Sequence, residues 1–187
     1  PHSAIHRITV EHLTAMASGL DRDLRLRSSP LAEWDYNTRG YTKAREALEA
    51  ATGRSTRAMT REWLCEPLGL SGTEWITRTH NPRSPLGLVS TARDLARLGL
   101  MVLNGGRAGH RQLIDESVLE TMLSPSQEQN PSYGHLWWLN GQRFWIGTHG
   151  NRHPGPRLPS APSDTVMAYG KFQRYLWIVP SRRLVAV

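Results

Sequence analysis

Apolar residues recur at helical spacing through the first two thirds of this chain and at strand spacing near its end. In IHRITVEHLTAMA (residues 5–17), Ile8, Val10, Leu13 and Met16 predict a helix that stops at Ser18-Gly19. A second amphipathic helix follows from Tyr41, Ala44 and Leu48 and is closed by Gly53. Ser55 offers an N-cap to TRAMTREWLCE, whose Met59, Trp63 and Leu64 predict a third helix that ends at Pro67. Residues 67–89 are rich in Gly and Pro and predict turns with short extended pieces. Thr91 and Asp94 form a capping-box pattern ahead of ARDLARLGLMVLNGG, which buries Leu95, Leu98 and Val102 and ends at Asn104-Gly105-Gly106. DESVLETML (115–123) is a further short helix that stops near Pro125.

Beyond Ser132 the period changes. YGHLWWLN, QRFWIGT, QRYLWIVP and RRLVAV are short, aromatic and β-branched, and turn residues separate them, so they predict strands. NRHPGPRLPSAPSD (151–164) reads as a polar loop. The order is α+β: a mainly helical region over 1–132, then antiparallel strands over 133–187, within one structural domain. A chain of 187 residues is long enough for one core and short for two.

Composition narrows the classes. With 39% hydrophobic residues, seven Trp and no apolar run of membrane length, the chain is neither disordered nor membrane-spanning. The net charge of +7 raises a nucleic-acid partner as a possibility, because basic surfaces release counterions from phosphates. The arginines, however, alternate with acids in DRDLRLR and KAREALEA and form no basic block, so no nucleic-acid partner is expected. Cys65 is single, which excludes an internal disulfide and leaves a cytoplasmic or an exported protein open. PHSAIHRITV lacks the charged-then-apolar order of a signal peptide and is expected to be an interior cut or a processed start.

Several chemistries are set aside by their missing patterns. His149 and His153 are four apart, but Gly150 lies between them and Pro154 follows, so no helix aligns their rings and no metal is expected. His135 and His149 are taken as structural. Neither phosphate-loop motif occurs, nor does a G-x-S-x-G elbow, and no cofactor is expected.

A set of segments in consistent order does carry chemistry: ITVEHLTAMASGL, WDYNTRGY with EAATGRS, PLGLSGTEW, GLVSTARDLARLGLMVLNGGRAGHRQLI, YGHLWWLN and QRYLWIVPSRRLVAV. Together they resemble the serine β-lactamase and penicillin-recognising family, on the side of its class C-like esterases and 6-aminohexanoate-oligomer hydrolases. The resemblance implies a β-lactamase/transpeptidase-like fold and an acyl-transfer enzyme acting on a small ester or amide. In such enzymes a Ser in S-x-x-K attacks a carbonyl while Lys and Tyr handle the proton. The chain has two lysines, and Gly40 and Ala168 stand three residues before them, so no S-x-x-K occurs. The resemblance therefore implies a fragment, inactive alone, that lacks the N-terminal strands and nucleophile helix and also a C-terminal helix. That missing N-terminal segment is an expected partner.

By position in the family's Y-x-N motif, Tyr36 takes the place of the general base, with Tyr41 five residues on. The alternative is an aromatic packed at a helix start beside Trp34. Asn37 and Thr38 are the substrate-orienting candidates, although Asn37 equally suits an Asx turn or N-cap. Relatives carry K-T-G or H-x-G on a cleft strand; here MAYGKFQ aligns Gly170 with the motif's glycine and puts Lys171 next to it. Gly170 and Lys171 are thus the oxyanion candidates, against a solvated-turn role for Lys171. Ala168 and Tyr169 replace the basic and hydroxyl residues, which favours esters or linear amides over β-lactams. Trp137 and Trp138 could wall an acyl pocket, with strand alternation sending one of them to core packing. A non-catalytic binding remnant of the same fold is the rival reading, and a basic nucleic-acid-binding module a third.

Overall fold

A computed structural model describes residues 5–81 and 85–187. Helix α1 (Val10–Thr14) is capped by Thr9, whose hydroxyl accepts from the His12 amide while the His12 ring accepts from the Thr9 amide. It is shorter than the 5–17 pattern predicts. Met16 takes a left-handed φ of 58°, and the chain turns there toward Gly19. Helix α2 (Thr38–Thr52) starts at the Asn37 cap and ends at Gly53, where a φ of 65° suits a residue without Cβ.

Helix α3 (Thr56–Thr60) does not stop before Pro67, contrary to the sequence expectation. It runs through a π-helical turn, Arg61–Cys65, into α4 (Glu66–Leu68). In that turn the Glu66 amide donates to the Arg61 carbonyl, five residues back. The α-helical ladder is already interrupted there, so a proline without an N–H is tolerated. A hairpin of β1 (Glu74–Thr77) and β2 (Leu86–Val89) leads to α5 (Ala92–Leu103). After the short pair β3 (Arg107–Ala108) and β4 (Arg111–Gln112) comes α6 (Glu116–Met122).

The C-terminal strands are β5 (Trp138–Leu139), β6 (Phe144–Ile146), β7 (Arg152–Pro154), β8 (Val166–Gly170), β9 (Arg174–Val179) and β10 (Leu184–Ala186). Strand β7 lies in the stretch expected to be loop. It pairs with β6, and His153 stacks on Trp145 with ring centroids 4.1 Å apart. The main sheet is antiparallel in the order β10-β9-β8-β5, with Val166 opposite Ile178 and Met167 opposite Trp177.

Alternation along these strands builds two cores, one on each sheet face. Leu139, Val166, Leu176 and Ile178 pack with Met101, Val102 and Leu119 from α5 and α6. Their neighbours in sequence, Trp138 and Met167, join Met16, Trp34 and Tyr133 on the opposite face, with Trp177 packed against them. Helix α5 comes close because Gly99 faces the sheet: a Cβ there would lie 2.5 Å from Val185 Cγ1. Its start is tied down by Asp94, which accepts from the Gly72 amide, the Thr73 hydroxyl and Arg97. Among the described residues no helix is long and apolar enough to cross a membrane.

Candidate active site

Tyr36 lies in the irregular run between residues 33 and 37, and that run is pinned from behind. The Asp35 amide donates to the Met16 carbonyl at 2.9 Å, and the Asn37 amide to the Met16 sulfur at 3.3 Å. Asn37 is 3% exposed. Its Oδ1 accepts from the amides of Arg39 and Gly40, both at 3.1 Å, and its Nδ2 donates to the carbonyls of Leu20 and Asp21 at 3.0 and 2.8 Å. An amide side chain has two donors and two lone pairs to give, and all are spent on backbone. Asn37 is therefore the N-cap of α2, the second of its two sequence readings. Thr38, the first residue of α2, lines a cleft of about 350 Å³ together with Tyr36, Arg22, Arg39, Thr148 and His149.

The Tyr36 ring stands in an aromatic box. It stacks on Trp138 at 6.3 Å and 16°, and it meets Trp34 and Tyr133 at 6.3 Å each. Trp138 meets Tyr133 edge-on at 4.9 Å. Burial in this box pushes the Tyr36 hydroxyl above its usual range and the Tyr41 hydroxyl adds to that, while Arg157 pulls the other way. The net direction is upward, so Tyr36 is a protonated phenol at neutral pH. Tyr133 is pushed well up for the same first reason, burial. In this setting Tyr36 can donate a hydrogen bond or a proton. To accept one near neutrality it needs a further cation close by.

The other candidates from the sequence separate. Trp138 belongs to the Tyr36 box, whereas Trp137 packs against the aliphatic core on the α5 side. Gly170 ends β8, and Lys171 opens the hairpin turn whose next residues, Phe172 and Gln173, have φ values of 63° and 58°. Lys171 is exposed, its ammonium 5.0 Å from the Phe172 ring, and its carbonyl accepts from Arg174. His135 shares a 2.9 Å hydrogen bond with Thr14, and burial lowers its pKa. His149 lines the cleft. Among the described residues no group of His, Cys, Asp or Glu is placed to hold a metal ion.

Sequence reasoning missed the partners Tyr133, Trp145, Tyr169 and, above all, Arg157. The guanidinium carbon of Arg157 lies 4.1 Å from the ring centroid of Trp138, 4.4 Å from that of Tyr169 and 4.5 Å from that of Trp145. Its loop is fastened by buried Asn140, which accepts from the Leu158 amide and donates to the carbonyls of Leu158, Ala161 and Pro162. Asn130 does the same for Trp145's strand by bonding both the N–H and the C=O of Ile146. The usable signal was an arginine set among Pro154, Pro156, Pro159 and Pro162, but only tertiary contact shows where that arginine goes.

Helices packed on one face of an antiparallel sheet, with a tyrosine at a helix start against the other face, define a β-lactamase/transpeptidase-like fold. The chain belongs to the Beta-lactamase family, whose model matches residues 1–187. Solved structures agree on the fold. A Bacteroides dorei protein named as a β-lactamase is 18% identical, with a TM-score of 0.75, over 95% of this chain and 62% of that one. A Mycobacterium bovis β-lactamase is 20% identical, with a TM-score of 0.71, over 95% of this chain and 64% of that one. A Bacillus anthracis protein named as a 6-aminohexanoate-dimer hydrolase is 19% identical, with a TM-score of 0.63, over 93% and 46%. The chain thus spans less than two thirds of the length of each. No curated protein sequence matches it.

Proposed function

We propose that this chain carries the tyrosine side of a serine acyl-transfer site that cleaves a small ester or linear amide. Tyr36 moves the proton, Thr38 orients the substrate and Trp138 walls the pocket. The nucleophilic Ser-x-x-Lys comes from a segment outside residues 1–187, and its lysine is the cation that brings Tyr36 into a proton-accepting state. The observation that carries this reading is Tyr36 itself, held at a cleft by the fully bonded Asn37 in a member of a family built for acyl transfer. Ala168 and Tyr169, in place of the family's basic and hydroxyl residues, support an ester or linear amide over a β-lactam.

The test is to extend the chain with the reading frame upstream of Pro1 and to challenge both forms with a fluorophosphonate and a nitrophenyl ester. The 187-residue chain stays unlabelled, and the extended chain labels and turns over. Tyr36→Phe in the extended chain lowers kcat by about a hundred-fold or more while leaving far-UV CD unchanged, as expected for a lost proton-transfer group. Labelling of the 187-residue chain would refute the outside nucleophile. A second reading, a binding remnant without chemistry, draws on the protonated state of Tyr36 and the missing Ser-x-x-Lys. It predicts an extended chain that binds ligand in the cleft and turns nothing over.

A further inference from the structure

Two tight turns at one end of the main sheet carry bulky apolar residues where glycine or asparagine is the rule. Strand β8 runs on past the start of β5, so the turn after Gly170 and the turn before Trp137 lie at the same end. Phe172 tops the first turn with a φ of 63°, and at 76% exposure it is the most exposed large apolar residue among those described. Leu136 tops the second, which the Gly134 amide closes on the Trp137 carbonyl, with a φ of 66° and 43% exposure. A left-handed backbone is costly for any residue with a bulky side chain, and Gln173 adds to that cost with a φ of 58°. Neither Phe172 nor Leu136 belongs to either core, so packing does not account for them.

The charge around these turns is one-sided. Residues 129–187 hold seven Lys and Arg against one acid, Asp164, and so carry six of the chain's seven net positive charges. Asp164 is engaged by the Ser181 amide and hydroxyl, beyond the other end of β9. Lys171 and Arg174 are exposed and flank Phe172, their charges 5.0 and 5.5 Å from its ring centroid. A ring whose face is engaged by cations is poorly placed to stack on a nucleobase. A projecting tip likewise offers no groove to an acidic peptide. An apolar tip ringed by cations does fit the boundary of an anionic bilayer, where side chains of both kinds find partners within a few ångströms of depth.

We propose that the Leu136 and Phe172 turns form a contact surface for an anionic lipid membrane. Phe172 and Leu136 enter the acyl boundary, while Lys171 and Arg174 meet the headgroup phosphates. The contact is peripheral and reversible, because two apolar side chains and a few cations hold a bilayer only weakly. It does not depend on the Tyr36 reading.

The measurement is flotation of the 187-residue chain with vesicles of phosphatidylglycerol and phosphatidylcholine in equal parts, set against phosphatidylcholine alone. Anionic vesicles carry the chain, neutral ones do not, and binding falls as salt rises. In Phe172→Asn the new residue suits a left-handed turn, so the melting temperature rises while vesicle affinity drops about ten-fold or more. Leu136→Asn lowers affinity by about three-fold or more for the same reason. Lys171→Gln combined with Arg174→Gln lowers it by about ten-fold or more. Arg182→Gln combined with Arg183→Gln, past the far end of β9 and so roughly 20 Å from the tip, changes it by less than about two-fold at physiological salt.

Equal binding to neutral vesicles, or unchanged affinity in either Asn variant, overturns the proposal. A polyuridylate or polyglutamate chain that binds as tightly as the anionic vesicles, and equally well in Phe172→Asn, overturns it too and assigns the cations to a soluble polyanion. The chain extended upstream of Pro1 binds the anionic vesicles as well; loss of binding there would mean that the added segment covers both turns, and the membrane contact would fall.

Discussion

Two adjacent residues, Tyr36 and Asn37, divide chemistry from support. Asn37→Ala removes a helix cap and also strands the part-buried carbonyls of Leu20 and Asp21, so it should cost about 1–2 kcal/mol in a urea melt. Asn37→Asp keeps the acceptor for α2 but points a carboxylate at two carbonyl oxygens, and it should rescue little. The hydroxyls of Tyr36 and Tyr133 give a pH signature. Burial raises both above the ordinary 10.0, so the folded chain keeps protons that the unfolded chain releases. Their contribution is whole below pH 10 and falls as pH rises above it. Tyr133→Phe should therefore lose stability less steeply than the unaltered chain between pH 9 and 11, measured as urea midpoints at each pH. A parallel slope would show that Tyr133 is not held protonated. Asn37 was legible as a cap because the pattern is local. That its Nδ2 would reach residues 20 and 21 was not, since nothing in the sequence brings those residues together.

At the level of elements, α5 is the hinge between sequence pattern and sheet. Burial alone would raise the Asp94 carboxyl, but the Gly72 amide, the Thr73 hydroxyl and Arg97 outweigh it and hold the pKa below its usual value. Its contribution is present above about pH 3.8 and is lost as pH falls further. Asp94→Asn should destabilise the chain at pH 7, with the gap to the unaltered chain closing near pH 2 in acid titrations. Gly99→Ala sets a helix-propensity gain of about 1 kcal/mol against the overlap with Val185 and Leu176. The overlap should win, because a packed β-branched side chain has little room to yield, and the melting temperature should drop. Most elements were legible, since helical and strand periods are written locally. Pro67 misled because a π turn two residues earlier had already broken the ladder that the proline would have broken. The 151–164 stretch misled because the pairing of β7 depends on Trp145 and His153 stacking across two strands.

For the molecule as a whole, the sheet ends at β10, which pairs with β9 on one side and, among the described residues, with no strand on the other. Leu184 is 49% exposed and Val187 50%. An uncovered apolar edge invites pairing with another copy, and the net charge of +7 opposes it at low ionic strength. Raising salt from about 0.01 to 0.15 M shrinks the Debye length from roughly 30 to 8 Å, so self-association should grow with salt. Light scattering should show this, and Leu184→Lys should suppress it; association that weakens with salt would point to a charged contact instead. At this scale the α+β order and the family resemblance were legible, because they rest on many segments in sequence. The Arg157 cage was not, because it is assembled from four segments that meet only when both sheet faces are built.

The strict alternation in β8 and β9 also makes the sheet a partition with a different solvent-like interior on each side, aliphatic toward α5 and aromatic toward Tyr36. Trp138 packs on the aromatic side and Trp137 on the aliphatic side. The emission change lost with Trp138→Phe and that lost with Trp137→Phe are therefore separate gauges of two compartments that share one wall. Coincident denaturation curves would mean that the wall transmits collapse between them, and a gap between the curves would mean that the chamber holding the candidate site can melt by itself.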